Sequence, residues 1–292
     1  MERDMKGVQQ LHSYTFKQVY EMWLLQHKQE IKPTTLESKE SKLNAKILPK
    51  FGHLKIRDIT SLYCQEILNG RANEIASFND YKIQTNLVFK YAYIHGLIEN
   101  KPFSKVVTPK KQNTLIFDAE KEENNFYTKE ELKLLLQLLY EERSFKYYIM
   151  FRLLAFTGLR KGELLALHWS DIDFENKPLR LRKTLADPRG EIILQTPKSL
   201  ASRRIISLDD TTLSSLTRWR GNQIEEYAES EVELEDDQKQ LIFSRFYNRT
   251  KQFGFFRLAH LNDKLYYFLK HHPDLPSITM HRLRHTHASL LF

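Results

Sequence analysis

Basic side chains able to hold a phosphate recur in three short stretches of this 292-residue chain. The first contains Arg160, which follows the turn Thr157-Gly158-Leu159 and an apolar run over residues 147–156. Gly158 stands where a helix over that run must end, because glycine adopts the left-handed C-cap conformation without steric cost. A new helical pattern with leucines at core spacing begins at once. The spacing therefore predicts Arg160 at a helix start, where a guanidinium can take a phosphate through two parallel hydrogen bonds.

Each candidate side chain also has an ordinary structural interpretation. Glu163, three residues after Arg160, can orient the guanidinium or form a solvated ion pair with it on a helix surface. Lys198 can reach a ligand from a turn between strands, or it is simply an exposed turn lysine. His281 and His285 are spaced to face one zinc ion, but no H-E-x-x-H glutamate stands between them and nearby cationic side chains would repel a metal, so zinc is disfavoured.

Together the three stretches resemble the signature of the tyrosine recombinases, also called phage integrases. That family has an arginine in a T-G-L-R-x-G-E turn, a lysine in a β-hairpin and an H-x-L-R-H box, in this order. The matching stretches here are 157–163, with T-G-L-R-K-G-E; 195–199, with Q-T-P-K-S; and 281–289, with H-R-L-R-H-T-H-A-S. The resemblance covers most of the chain, from about residue 14 to residue 292.

The resemblance implies a phosphodiester transfer that needs no metal and no nucleotide cofactor. Arg160 and Arg284 would clamp the scissile phosphate, with Glu163 supporting Arg160. Lys198 would protonate the leaving 5′ oxygen, and His281 would assist the nucleophile as acid or base. These residue types suit the task, because fixed guanidinium groups meet the charge that accumulates on the non-bridging oxygens of a pentavalent phosphorane. The family keeps the bond energy in a 3′-phosphotyrosyl link.

In the family the nucleophilic tyrosine lies well downstream of the H-x-x-R box. The sequence here runs to Phe292, eight residues past Arg284, and stops inside an apolar helical pattern. Tyr266 and Tyr267 precede the box, so they are predicted to be structural. We therefore expect this chain, as an integrase cut before its nucleophile, to bind DNA without cleaving it. The alternatives are a non-catalytic DNA-binding remnant or regulator of an intact integrase and, least favoured, a helical protein without a DNA role.

The charge balance points to a polyanionic partner. The formal net charge is +8, which favours binding to phosphates through counterion release, although composition alone does not separate nucleic acid from an anionic membrane surface. The single cysteine, Cys64, excludes an internal disulfide. No apolar run is long enough to span a membrane and no signal-peptide pattern is present, so a cytoplasmic location is expected. The resemblance implies double-stranded DNA and a homotetramer, with an excisionase or a host DNA-bending factor as further candidate partners.

The predicted fold is mainly α with a small antiparallel β-sheet: an all-α SAM-like core-binding domain plus an α+β catalytic domain that is C-terminally incomplete. The predicted boundaries are a disordered lead-in at 1–12, a four-helix domain at 13–108, a linker at 109–126 and the catalytic domain at 127–292. The SAM-like likeness rests on the F-G-x-L-x-I-x-D-I-T turn of the first domain. That domain holds most of the excess positive charge, and its candidate DNA contacts are Lys39, Lys42, Lys46, Lys50 and Lys82. For any single lysine, a solvated surface role is the commoner interpretation.

Several local patterns in the second domain predict structure. Thr128 and Glu131 are spaced as a capping box, and Asp209 is placed to cap a long helix. Period-2 alternation predicts three strands between residues 179 and 208, with Lys198 in a turn of their small sheet. The basic and aromatic residues interleaved over 245–257 indicate either a nucleic-acid track or an amphipathic helix with aromatic side chains in the core.

Overall fold

The computed structural model describes residues 13–74, 78–108, 126–142, 145–196 and 203–289. The chain divides into two compact units, Met1–Thr114 and Leu115–Phe292. Most of the described residues are helical, and the strands among them form two-stranded antiparallel sheets, so the predicted fold class is confirmed. None of the described helices has both the length and the apolar character needed to cross a membrane.

The first unit is an all-helical bundle. Its helices are α1 (Phe16–His27), α2 (Pro33–Lys42), α3 (Leu48–Phe51), α4 (Ser61–Glu74) and α5 (Phe78–Ile94). Leu43–Ile47 forms a π-helical turn that joins α2 directly to α3. Pro49 is tolerated because it lies in the first turn of α3, where a backbone N–H has no helical acceptor.

Aromatic rings build the core of this unit. Phe16 lies 5.5 Å from Phe51 and 5.2 Å from Phe89, measured between ring centroids, and all three side chains are buried. Thr15 accepts a hydrogen bond from the backbone of Gln18 and so caps α1. Cys64 is also buried in this core, and burial raises the pKa of its thiol to about 12. A thiol in that state is a packing group, not a nucleophile.

The second unit surrounds the three sequence stretches with helices and short strands. Its helices are α6 (Lys129–Glu142), α7 (Phe145–Thr157), α8 (Lys161–Leu164), α9 (Asp210–Glu229), α10 (Ala259–His271) and α11 (Met280–Ser289). The predicted capping box is confirmed, since Thr128 N–H donates to Glu131 Oε2 at 2.7 Å and Glu131 N–H donates to Thr128 Oγ1 at 3.2 Å. Asp209 caps α9 by accepting from the backbone N–H of Thr212 at 2.9 Å.

Six short strands pair in antiparallel fashion. They are β1 (Pro178–Leu181), β2 (Thr184–Ala186), β3 (Ile193–Gln195), β4 (Arg204–Ser207), β5 (Arg245–Tyr247) and β6 (Gln252–Gly254), and among the described residues β1 pairs with β4, β2 with β3 and β5 with β6. The helical interpretation of residues 245–257 is wrong, because this stretch forms the β5–β6 hairpin. Its aromatic side chains pack inward, and Phe253 stacks on Tyr227 of α9 with 3.7 Å between ring centroids.

Helix α7 runs through the core of this unit and ends at the turn that precedes Arg160. Its buried side chains include Ile149, Met150 and Leu153. Gly158 has φ +60°, the predicted left-handed conformation, and its N–H donates to the Leu154 carbonyl at 3.2 Å. A Cβ atom at Gly158 would lie only 2.7 Å from Cδ2 of His287 on α11. Backbone conformation and close packing therefore both require glycine here.

We predict that Gly158→Ala lowers the free energy of unfolding of the second unit by at least about 2 kcal/mol, because the left-handed conformation alone costs an alanine about 1–2 kcal/mol. Urea denaturation followed by tryptophan fluorescence measures this change. Gly221→Ala is the matched control, since Gly221 lies within α9 and an added Cβ meets nothing within 4 Å. The control should gain about 0.5–1 kcal/mol. Equal stability of the two variants would contradict the account.

Candidate functional site

The buried carboxylate of Glu163 accepts hydrogen bonds from two basic side chains of the second unit. Its Oε2 accepts the backbone N–H of Arg160 at 2.9 Å, and its Oε1 accepts Nη1 of the Arg160 guanidinium at 3.0 Å. Arg204 of β4 donates to the same carboxylate, with Nη2 at 3.0 Å from Oε2 and Nη1 at 3.3 Å from Oε1. The Glu163 side chain is 3% exposed and that of Arg160 is 55% exposed. The carboxylate is therefore not part of a solvated surface pair.

The hydrogen bonds of Glu163 keep it ionised. Burial by itself raises the pKa of this carboxyl, but the hydrogen bonds from Arg204 and from Arg160 outweigh burial and lower the net pKa. The charge-assisted bidentate contact with Arg204 fixes the plane of that guanidinium as well as its position, whereas Arg160 is bonded through one guanidinium nitrogen and its backbone N–H. Glu163 thus holds Arg160 by backbone and side chain together.

The local fold of α8 follows from its glycine. The helix is a single turn, shorter than the leucine spacing predicts, and Arg160 stands before it in extended conformation with φ −74° and ψ 148°. A Cβ atom on Gly162 would lie 2.6 Å from the carbonyl oxygen of Leu185, so only glycine lets β2 pack this closely against α8. The next residues, Leu164 and Leu165, are buried in the core and anchor the turn.

Arg284 lies on α11 and points its charge toward the same cluster. Its Nη1 atom is buried and has no hydrogen-bond partner within the described parts of the chain. Burial lowers the pKa of Arg284, repulsion from Arg160 and Arg204 lowers it further, and Glu163 raises it. Two guanidinium groups thus bond one carboxylate and the charge of a third acts on the same cluster, which leaves an excess of positive charge there.

A cavity of about 840 Å³ opens beside this cluster. Arg160, His281 and Arg284 line it together with apolar side chains of α10 such as Leu265. Tyr266, predicted to be structural, also lines the cavity and is 64% exposed. The structure thus brings three of the four candidate catalytic residues to one cavity, whereas the fourth, Lys198, lies outside the described residues.

Two further residues of this site were not among the sequence candidates. Arg204 on β4 donates a hydrogen bond to Glu163, and the ring of His287 packs against Gly158. Strand periodicity places Arg204 on the same face as Ile206, and a partly buried arginine needs an acidic partner, so a signal for Arg204 is present in the sequence. No comparable sequence signal marks His287.

The candidate DNA-contacting lysines of the first unit have different surroundings. Lys39 Nζ lies 2.8 Å from Nε2 of His27, and Lys42 Nζ lies 2.7 Å from Oδ2 of Asp80. Lys82 donates to the Val106 carbonyl and to Thr108 Oγ1, both at 2.9 Å. Lys46 and Lys50 are exposed. Three of the five therefore have contacts within the unit.

No cluster of three or more His, Cys, Asp or Glu side chains able to hold a metal ion occurs in the part of the chain that the structure describes. His281 and His285 stand with ring centroids 4.9 Å apart and an interplanar angle of 89°. The arginine charges next to them, Arg284 and Arg160, disfavour a cation at this pair.

Comparison with known proteins gives a family for each of the two units. The model of the phage integrase N-terminal SAM-like domain matches residues 15–71, and that of the phage integrase family matches residues 125–292. The chain belongs to the phage integrase family, whose members include the tyrosine recombinases.

A tyrosine recombinase XerC-like protein of Caldanaerobacter subterraneus subsp. tengcongensis is 30% identical over 254 residues, which are 82% of this chain and 62% of that protein. The chain spans between 53% and 62% of the length of three curated relatives. The Tn1549 transposon integrase, solved with a circular intermediate DNA, superposes with a TM-score of 0.71 at 18% identity and covers 96% of this chain and 87% of the other. A lambda integrase tetramer on a Holliday junction gives a TM-score of 0.62 at 18% identity. The match covers 95% of this chain and 73% of the lambda integrase chain.

We predict that Glu163→Gln destabilises the second unit by about 3–5 kcal/mol at neutral pH, because it removes the buried charge that is paired with Arg160 and Arg204. The folded pKa of Glu163 is depressed, so its contribution is full above the unfolded glutamate pKa of about 4.3 and is lost as the pH falls through the folded value. The difference in unfolding free energy from the parent protein should therefore shrink in acid.

Urea denaturation at a series of pH values tests this prediction. The series runs from neutral pH to about pH 3, which lies below the ordinary glutamate pKa. Glu225→Gln, an exposed carboxylate on α9, is the control and should change stability little at any pH. A Glu163→Gln penalty that is absent, or that is constant across the pH range, would show that the carboxylate does not carry this charge balance.

Proposed function

We propose that this chain is the DNA-binding and phosphate-holding part of a site-specific DNA recombinase, an enzyme that cleaves and rejoins duplex DNA through a 3′-phosphotyrosyl intermediate. The observation that carries the proposal is the convergence of Arg160, Arg204 and Arg284 around the buried carboxylate of Glu163. Such a cluster has excess positive charge at a fixed place, which is what a transferring phosphoryl group needs.

In this proposal Arg160 and Arg284 clamp the non-bridging oxygens of the scissile phosphate. Arg160 is half exposed, and both Arg160 and Arg284 line the cavity. Both guanidinium groups are held before the phosphate arrives, so little reorganisation accompanies the build-up of negative charge. Arg204 faces Glu163 and acts as its counter-charge.

Proton transfers are assigned to the remaining candidates. His281 is exposed at the cavity next to Arg284 and can act as acid or base toward the attacking group. Lys198 is proposed to protonate the 5′ oxygen as it leaves, an assignment that rests on the family resemblance. No metal or nucleotide takes part in this scheme, because arginine charges supply the electrostatic stabilisation.

We propose further that this chain binds duplex DNA and that neither Tyr266 nor Tyr267 is the nucleophile that cleaves it. Tyr266 and Tyr267 precede the H-x-x-R box, opposite to the order in the family, and are not assigned as nucleophiles. The Tn1549 integrase with circular intermediate DNA and the lambda integrase tetramer on a Holliday junction support double-stranded DNA as partner and a tetramer as the working assembly. An excisionase or a host DNA-bending factor remains a candidate partner.

We predict that Arg284→Ala weakens binding to a fluorescent duplex about tenfold or more at low salt and lowers the slope of log Kd against log salt by about one. Arg284→Lys should retain the slope but lose affinity, because a lysine keeps the charge without the planar fork. Arg218→Ala is the control, since Arg218 is exposed and stacks on Phe145 with 4.3 Å between its guanidinium carbon and the ring centroid.

Equal losses at Arg218 and Arg284 would point to the non-catalytic alternative, in which DNA is held by diffuse charge alone. The same protein incubated with a nicked duplex should give no covalent adduct at Tyr266 or Tyr267, as judged by a denaturing gel and peptide mapping. An adduct would overturn the assignment of Tyr266 and Tyr267 as non-nucleophilic.

The lysines of the first unit provide a separate prediction. Lys50→Ala should lower the slope of log Kd for duplex DNA against log salt by about one, as expected for an exposed phosphate contact. Lys82→Ala should instead leave the slope unchanged and cost about 0.5–1.5 kcal/mol of stability per lost hydrogen bond, because Lys82 holds Val106 and Thr108. Salt titrations and thermal denaturation of both variants distinguish a DNA contact from a structural role. A reduced slope for Lys82→Ala would contradict the structural role of Lys82.

A further inference from the structure

The cavity beside the arginine cluster is lined by more positive charge than one phosphodiester can balance. The cationic side chains that line it are those of Arg160, Lys161, Lys270 and Arg284. The described lining contains no aspartate and no glutamate. A phosphodiester carries one negative charge, so a single phosphate held by the two arginines leaves the charges of the two lysines uncompensated.

Lys161 stands next to Arg160 in the chain and is the first residue of α8. Its side chain is half-buried, and its Cα atom lies about 3.8 Å from that of Arg160, as in any trans peptide. Successive phosphates of one DNA strand are separated by about 3.4 Å along the helix axis. A cation next to Arg160 is therefore placed on the right scale to contact the phosphate adjacent to the one that Arg160 holds.

Lys270 lines the same cavity from the last turn of α10. Asn262 and Tyr266 precede it at four-residue intervals and also line the cavity, so the three polar side chains form one stripe along a face of α10. With a rise of about 1.5 Å per residue, this stripe is about 12 Å long. It offers an amide, a hydroxyl and an ammonium group, which are groups that contact the phosphates and sugars of nucleic-acid strands.

Neither lysine is engaged elsewhere within the described ranges of the chain. The ammonium groups of Lys161 and Lys270 form no ion pair and no hydrogen bond there. By contrast, Lys264 of α10 lies over the ring of Tyr147, with 4.9 Å between its Nζ atom and the ring centroid, and lines a different cavity. Like charges gathered around one cavity repel each other, so an anion bound among them is stabilised by all of them.

We propose that Lys161 and Lys270 form a second phosphate subsite, so that the cavity takes two neighbouring phosphates of one strand. This inference rests on the proposed function, in which Arg160 and Arg284 hold the first of these phosphates. Lysine suits the second position, because its ammonium group is a point charge on a flexible stem and imposes no fixed plane. The cavity volume of about 840 Å³ lies toward the upper end of the range for small-molecule sites and accommodates a nucleotide with two phosphates.

Two nucleotides test the subsite on the full chain. Thymidine 5′-monophosphate carries one phosphate, and thymidine 3′,5′-bisphosphate carries phosphates on both sides of one sugar, as a strand does. In ³¹P NMR titrations, the parent protein should bind the bisphosphate about tenfold more tightly, as expected for an added charge-assisted contact. In Lys161→Ala and in Lys270→Ala this preference should fall to about two- to threefold, because the extra charge still gains from the remaining cations.

Three further variants separate the subsite from general charge effects. Lys264→Ala is the matched control, because it removes a lysine from α10 outside the cavity, and it should keep the full preference for the bisphosphate. Lys270→Arg should keep most of the preference, because the charge remains. Arg284→Ala should weaken binding of both nucleotides alike and leave the preference intact.

A bisphosphate that binds the parent protein no more tightly than the monophosphate would overturn the second subsite. A preference that either lysine-to-alanine variant of the cavity retains as fully as the Lys264→Ala control would also overturn it. If Arg284→Ala leaves monophosphate binding unchanged, the clamp of the proposed function is wrong. The bisphosphate preference is measured independently of that clamp, so its loss in both Lys161→Ala and Lys270→Ala would still support the subsite.

Discussion

A single buried carboxylate determines the geometry of this site. Glu163 accepts hydrogen bonds from the backbone N–H and the guanidinium of Arg160 and from the guanidinium of Arg204 on β4. These charge-assisted hydrogen bonds join three parts of the second unit. Burying one negative charge is costly unless it is paired, and its pairing with two arginines leaves the surrounding cluster net positive. The same interaction thus stabilises the turn and prepares an anion-binding position, because Arg284 adds a third guanidinium that Glu163 does not bond directly.

Close approach of backbones makes this arrangement possible. Gly158 lets the ring of His287 rest on the turn, and Gly162 lets the Leu185 carbonyl of β2 approach α8. Each glycine removes one Cβ at a point where two elements distant in sequence meet. The site is therefore shaped by packing on the core helix α7, and the exposed parts of Arg160 and His281 are carried on rigid supports. Such pre-organisation is the main means by which a protein stabilises charge that develops during phosphoryl transfer.

The features that were predictable from sequence are local ones. The left-handed Gly158, the capping box of Thr128 and the Asp209 cap depend on residues within a few positions of each other. The contact of Arg204 with Glu163 spans 41 residues and depends on which strand lies beside α8, which short-range periodicity does not specify. The β5–β6 hairpin was ambiguous because its loop has neither glycine nor proline, and Lys251 instead adopts φ +54°. Charge counts likewise identified the basic first unit but not the internal partners of Lys42 and Lys82.

The central claim is that the arginine cluster around Glu163 is a site for a phosphoryl group. A crystal structure of the chain with tungstate, a heavy tetrahedral oxyanion, tests it most directly. We expect the anion in the cavity, within hydrogen-bond distance of the guanidinium groups of Arg160 and Arg284, with Glu163 still bonded to Arg160 and Arg204. Tungstate bound only at other basic surfaces, with this cavity empty, would contradict the account.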